Sequence, residues 1–288
     1  KGPYASRYGP GFEFLDFEIV PSPRSASGPE VGGSTSLDYQ SNGEHWYGRQ
    51  SFSFADEDFG IRFGYGHRTG SDYESGGGAG IPSSYKSRDM NLVAGWNVDD
   101  GQTAEFYLIH QDQSDVELAG QIFDIDSSVT RAFGATWTDE TVSWAEQFQL
   151  EAWLNETQLE GNAQSAGKRR TFPILNTLNF AGTTDVESLS TGARAEARWD
   201  FDRDRSLSAG VDVRIVRQEV DEFSFEQLGG QLSFDGNSPV PRSVSSNPGL
   251  FVELQDTSID GLTLTSGARV DIVSNEMLAD AQQLAALG

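Results

Sequence analysis

From Ser34 to Ile272 apolar and polar side chains alternate with a period of two, and the apolar set is free of charge through the middle of every run. Period two is the mark of a strand with two unlike faces. Met90, Leu92, Ala94 and Trp96 oppose Asp89, Asn91, Val93 and Asn97, and Phe59, Ile61, Phe63 and Tyr65 oppose Gly60, Arg62, Gly64 and Gly66. Phe148 to Leu154, Ala193 to Trp199, Leu207 to Ile215, Leu250 to Leu254 and Leu262 to Ile272 repeat the pattern. Between Phe59 and Ile272 the opposite face holds Arg62, Arg68, Asp89, Glu105, Glu151, Arg194, Glu196, Arg198, Asp212, Arg214, Glu253, Arg269 and Asp271. At apolar parity charges stand only at or just beyond run ends, as Arg88, Asp112, Arg131, Asp139, Glu146, Glu156, Arg205, Arg217 and Asp256. A hydrocarbon slab sorts side chains this way, because a charge at its midplane costs about 2 to 4 kcal/mol and little near the interface.

A soluble sandwich also alternates, so parity alone does not choose between them. Connection length does. Tight acidic turns at Ala55 to Asp58, Asp99 to Gln102, Asp139 to Ser143, Asp200 to Arg205 and Asp256 to Gly261 take turns with long loops at Thr69 to Lys86, Gln113 to Val129, Gln158 to Leu189 and Gln218 to Ser246. Short turns on one rim and long loops on the other are the build of a membrane barrel. Phe54, Phe59, Trp96, Phe106, Trp137, Phe148 and Trp199 all have apolar parity and fall toward the short-turn rim, which predicts an aromatic girdle at one interface. Eleven strands are read between Ser34 and Val273. Bacterial single-chain barrels use even numbers, and an open edge is not tolerated in lipid, so the expectation is a sequence that stops mid-barrel.

Composition removes other classes. With 44 Asp plus Glu against 20 Lys plus Arg, a formal charge of -24 repels a nucleic acid over most of the surface. No apolar run approaches the roughly 18 to 20 residues of a spanning helix. The chain has no cysteine and three histidines, His45, His67 and His110, so it has no thiolate chemistry and no histidine-rich centre. Lys1 is not an initiator residue, and the ends read as cut. One helical stripe is expected over Glu276 to Leu287, from Met277, Leu278, Ala281, Leu284 and Ala285.

The opening KGPYASRYGPGFEF resembles the C-terminal end of the plug domain of TonB-dependent outer-membrane receptors, through Gly2, Pro3, Tyr8, Gly9 and Gly11. Gly32 to Phe54 resembles that family's first barrel hairpin. Phe12 to Val20 replaces the strand that usually closes the plug, and the terminal aromatic typical of outer-membrane proteins is absent at Gly288. The resemblance implies an all-β fold, a partial antiparallel transmembrane β-barrel of about eleven strands, preceded by the end of a plug domain. Residues 1–30 would be plug end and linker, 31–275 the first half of the barrel, and 276–288 a helical loop or tail. It further implies an importer of a scarce bulky nutrient in the bacterial outer membrane. Its partners would be lipid and lipopolysaccharide, the nutrient, and the inner-membrane TonB complex acting through a region upstream of this sequence. No cofactor is expected, and neither is an enzyme. A passive porin and a secreted β-sandwich adhesin or lectin are the competing readings.

Substrate contacts are expected from the long loops and from Arg68 and Asp89 near that rim, with the basic run Lys168, Arg169 and Arg170 as an anion or lipopolysaccharide contact. The lumenal charges Arg194, Glu196, Arg198, Asp212 and Arg214 read as structural ladders. Asp112, Asp115, Glu117, Asp124 and Asp126 gather in and beside one loop as calcium candidates or a hydrated acidic loop. Asp200, Asp202 and Asp204 have calcium-loop spacing, but Arg205 and Val211 stand where such a loop needs Gly and Glu. Gly76 to Gly80 lacks the Lys-Ser/Thr of a phosphate cradle.

Overall fold

Strands succeed one another round a single antiparallel sheet in chain order. The structure, a computed structural model, describes residues 19–164, 166–228 and 230–278. The sheet runs through β1 (Glu30–Gln40), β2 (His45–Ala55), β3 (Phe59–Gly70), β6 (Tyr85–Asp99), β7 (Gln102–Val116), β8 (Asp124–Asp139), β9 (Gln147–Asn162), β10 (Ala181–Asp200), β11 (Arg205–Leu228), β12 (Gln231–Ile259) and β13 (Leu262–Asp271). These are the eleven strands that the alternation predicts. Among the described residues β1 and β13 have no pairing with each other, so the barrel is partial and its wall is open.

The apolar parity faces outward and is bare. Val211 is 51% exposed, Leu250 59%, Leu264 61% and Val270 68%, values that no dry sandwich core allows. Among the described residues the strands pack side by side as sheet neighbours, and no second sheet is layered on this face. On β11 the outward positions Leu207, Ala209, Val211, Val213 and Ile215 lie between Arg205 and Arg217. Twelve residues at about 3.3 Å rise and about 40° tilt climb roughly 30 Å, the thickness of a bilayer's hydrocarbon core. The girdle forms at the short-turn rim: Phe54 meets Phe59 at 6.3 Å and Trp137 meets Phe148 at 6.2 Å. Trp144, in the turn before β9, joins it against Phe148 and Trp199, and the Trp199 indole N–H donates to the Trp144 carbonyl at 2.7 Å.

The long-loop rim differs from expectation. Gln218 to Ser246 is a tall hairpin, not a loop, because Phe223, Phe225 and Phe234 keep alternating beyond the apolar band and pack at 5.2 to 6.3 Å. Pro239 and Pro241 suggest a loop, yet they sit where the β11–β12 register shifts, which is where a strand tolerates residues lacking an N–H. The Gln158–Leu189 segment holds two short helices, α1 (Ala166–Thr171) and α2 (Ile174–Thr177), between lengthened strands. The Thr69–Lys86 segment carries a small hairpin of β4 (Tyr73–Glu74) and β5 (Gly80–Ile81), and the Gln113–Val129 loop shrinks to residues 117–123.

Glu276 and Met277 do not start a helix. They belong to β14 (Ser274–Met277), which pairs with β12 and continues the line of β13 after a break at Ile272 and Val273. The Leu278 N–H extends it to the Arg242 carbonyl at 2.7 Å. The rest of the expected helix, and the motif residues Gly2, Pro3, Tyr8, Gly9 and Gly11, lie outside the described residues.

Before β1 the chain crosses the charged face. Ser22 gives its N–H and hydroxyl to Glu105 at 3.0 and 2.6 Å, and Arg24 joins the same carboxylate at 3.5 Å. Arg62 holds the carbonyls of Val20 and Pro21, and the Ser25 N–H reaches the Asp56 carbonyl at 3.1 Å. This strap identifies the charged face as the lumen.

Candidate lumenal binding site

The inside of the wall is built by one repeated device. A large polar side chain lies flat across a neighbouring strand at a glycine and meets its partner on the strand beyond. Arg49 on β2 crosses β3 at Gly66 to reach Asp89 on β6, in one row of register, and its other nitrogen donates to Asn91 at 2.6 Å. A Cβ at Gly66 would collide with the Asp89 carboxylate. Arg269 on β13 crosses β12 at Gly249 and grips Asp212 on β11 with two bonds of 2.7 Å, while its Nε holds Asp271 at 2.9 Å. Arg194 stands 3.8 Å from Asp212, and Phe251 lies 5.5 and 5.9 Å from the Arg194 and Arg269 guanidiniums. The Arg194 and Asp212 part of the expected ladder is thus present, and its anchor Arg269 comes from two strands further on.

Toward the long-loop rim the lumenal face opens into two adjoining recesses of about 390 Å³ each that share Arg68 and Tyr85. Arg68 lies exposed over the Tyr47 ring at 4.4 Å. The Tyr85 hydroxyl and His45 Nδ1 are 3.2 Å apart, and their rings stack at 5.5 Å. Ser87, Asp89, Gln111 and Gln113 line the second recess. Arg68 and Asp89, singled out by position, therefore share one site. Arg68 presents its charge to the recess, whereas Asp89 is neutralised by Arg49. His45, Tyr47, Arg49 and Tyr85 escaped sequence reasoning, since only cross-strand register brings them to Arg68.

The basic run lies elsewhere, on the loop side. Lys168 is 1% exposed, paired with Asp124 at 2.8 Å and bonded to the Leu118 carbonyl. Arg169 donates to the carbonyls of Leu175 and Phe180 at 3.3 and 2.7 Å. Both fasten the α1–α2 segment, and only Arg170 remains exposed, 4.0 Å from Asp72. The five acidic residues disperse: Asp112 pairs with Arg88 at 2.5 Å, Asp115 with Lys86 at 2.8 Å, Asp124 with Lys168, Glu117 accepts from Ser84 at 2.9 Å, and Asp126 from Asn162. Among the described residues no group of three carboxylates or histidines is placed to hold a metal ion.

Glu117 and Asp72 share a hydrogen bond that joins the β7–β8 loop to the β3–β6 loop. Burial lifts Glu117 above the ordinary glutamate value, and the Asp72 carboxylate lifts it further. Burial pushes Asp72 upward as well, but the N–H groups of Ser83 and Ser84, the Glu117 proton and the Arg170 charge bring it below the aspartate norm.

Compared by sequence, the chain matches no protein-family model and none of the curated proteins. Its fold does match. The copper transporter OprC superposes with a TM-score of 0.74 at 20% identity, covering 91% of this chain and 40% of that one. The unliganded ferric citrate transporter FecA gives 0.60 at 17% identity over 95% of this chain and 42% of its own. The ferric enterobactin receptor PfeA of Pseudomonas aeruginosa gives 0.54 at 15% identity, over 95% and 43%. The chain thus spans about two fifths of the length of these transporters and receptors, none of which is an enzyme by its name. With the bare outer face, the girdle and the strap-lined lumen, these likenesses give the chain the fold of part of the β-barrel wall of such transporters and receptors.

Proposed function

We propose that the chain belongs to an active importer of the bacterial outer membrane, which takes up a scarce bulky nutrient and is energised by the inner-membrane TonB complex. The observation that carries this reading is the strap. A chain that enters its own barrel and is fastened inside by Glu105 and Arg62 belongs to a plugged pore, and a plugged pore needs energy to pass its cargo. A passive porin has no use for such an entry. Lipid and lipopolysaccharide surround the outer face, and the nutrient meets Arg68, Tyr85 and Asp89 in the lumenal recess after first contact with the long-loop rim, where Arg170 is exposed. Lys168 and Arg169 hold the lip of that rim in shape.

Cells expressing the full-length protein are offered radiolabelled copper(II), ferric citrate, ferric enterobactin, cobalamin and a malto-oligosaccharide, with and without a working TonB complex. Accumulation of one probe that needs TonB supports the reading. Free diffusion of small sugars through the protein in a liposome-swelling assay would replace it by the porin.

A further inference from the structure

The strap makes closer contacts than entry into the lumen requires. Two glycines make room for it: a side chain at Gly60 would collide with the Pro23 carbonyl, and one at Gly95 with the Glu105 carboxylate and the Ser22 hydroxyl that it holds. Glu105 then accepts three donors from it, the N–H and hydroxyl of Ser22 and the Arg24 guanidinium. Arg62 holds the two carbonyls ahead of Ser22, and Asp56 and Glu30 hold Ser25 behind it. Six residues, 20–25, are thus gripped from the β2–β3 turn and from β1, β3, β6 and β7, with Ser22 and Ser25 only 7% and 6% exposed. The strap does not fill the lumen beside it, where a recess of about 720 Å³ lies between Ile19, Ser22, Tyr107 and Glu151.

We propose that residues 20–25 are a fixed tie between upstream chain and barrel wall, with Glu105 as its positioning residue, and that movement of the chain during import begins ahead of Val20 while the tie stays seated. Lifting the tie would strip a carboxylate of three donors at once and leave Arg62 facing no carbonyl, whereas the recess beside it leaves space for upstream movement that breaks none of these bonds. The inference rests on the importer reading above, because it says which part of the chain does not move.

The chain has no cysteine, so a tether can be placed on a clean background. A Cβ at Gly95 falls beside the Ser22 side-chain atom and in place of the Glu105 carboxylate, so a disulfide there would take over from Glu105 in holding residue 22 to the wall. The full-length protein carrying Ser22→Cys and Gly95→Cys is compared, oxidised and reduced, for uptake of whichever labelled probe of the panel accumulates. Equal uptake in both states is expected. Uptake that is lost on oxidation and regained on reduction overturns the tie. If neither the double variant nor the parent accumulates any probe, the importer reading falls instead, and the tie is judged by labelling. Ser22→Cys alone is exposed to a maleimide in isolated outer membranes. Slow labelling that quickens at least tenfold in Glu105→Ala, and less in Glu105→Gln, supports the tie. Labelling equally fast with Glu105 present overturns it.

Discussion

Val211 and Asp212 are consecutive residues of β11 in two different solvents. Val211 points out, half exposed among Leu250, Ala195 and Val213, and Asp212 points in, where it takes both arms of Arg269. One peptide bond separates hydrocarbon from a wetted, charged interior. The two faces obey opposite rules. Outside, stability comes from the absence of charge over five positions between Arg205 and Arg217. Inside, it comes from charges held against partners, as Asp212 is by Arg269 and Asp89 by Arg49, with glycines supplying the room for those partners to reach each other.

The largest break in that contrast comes from within. Asp212→Ala leaves Arg269 and Arg194 buried without their shared carboxylate, and Arg269 is only 7% exposed. Leaving one partner of a buried pair uncompensated costs about 3 to 5 kcal/mol; with Asp271 still holding Arg269, urea unfolding in lipid bilayers should shift toward the lower end of that range. Next comes the outside: Val211→Arg places a cation near mid-membrane and should cost about 2 to 4 kcal/mol in the same titration. An arginine variant as stable as the parent would falsify the assignment of this face to lipid. A third step sharpens the contrast inside the lumen. Arg49 and Asp89 use the same glycine-bridged geometry as Arg269 and Asp212, but are about a third exposed, so water screens them. A double-mutant cycle on Arg49→Ala and Asp89→Ala should return a coupling near 1 kcal/mol, several-fold below that of the buried pair.

The smallest effects lie at the long-loop rim and on the open face. The Asp72–Glu117 hydrogen bond requires one proton. Glu117 has its affinity for a proton raised on folding, so its contribution is complete below the ordinary glutamate pKa of 4.5 and is lost as pH rises through the elevated value. Asp72 is depressed, and its contribution fades as pH falls below the ordinary 3.8 through the lowered value. Exchange of the Ser83 and Ser84 amide hydrogens, corrected for intrinsic rates, should therefore speed up on raising pH above the glutamate range, and Glu117→Gln should flatten that dependence. Ala195→Leu on the lipid face should change unfolding by less than about 0.5 kcal/mol.

Nearly all of the wall was legible in the sequence, because a strand of fixed rise in a slab of fixed thickness leaves a periodicity with charged stops. The height of the wall was less so. Phe223, Phe225 and Phe234 alternate as the barrel strands do, but glycine, proline and acidic neighbours masked them, and the bulges that accommodate Pro239 and Pro241 have no local signature. Glu276 and Met277 were misassigned for a related reason: a short stripe fits a helix until the neighbouring β12 pairs with it. The candidate site was half visible. Arg68 and Asp89 followed from parity and height, whereas Tyr85, His45 and Arg49 depend on which residues face each other across three strands. Lys168 shows the opposite failure, since a basic run reads as surface until Asp124 is found beneath it.

The glycines of the inner face have one further consequence. The number of strands and their stagger set how wide a barrel is, but not how much of that width is free. By letting Arg49, Arg269, Trp153 and Phe251 lie along the wall instead of standing up from it, Gly64, Gly249, Gly192 and Gly210 widen the clearance inside the wall with no change in circumference.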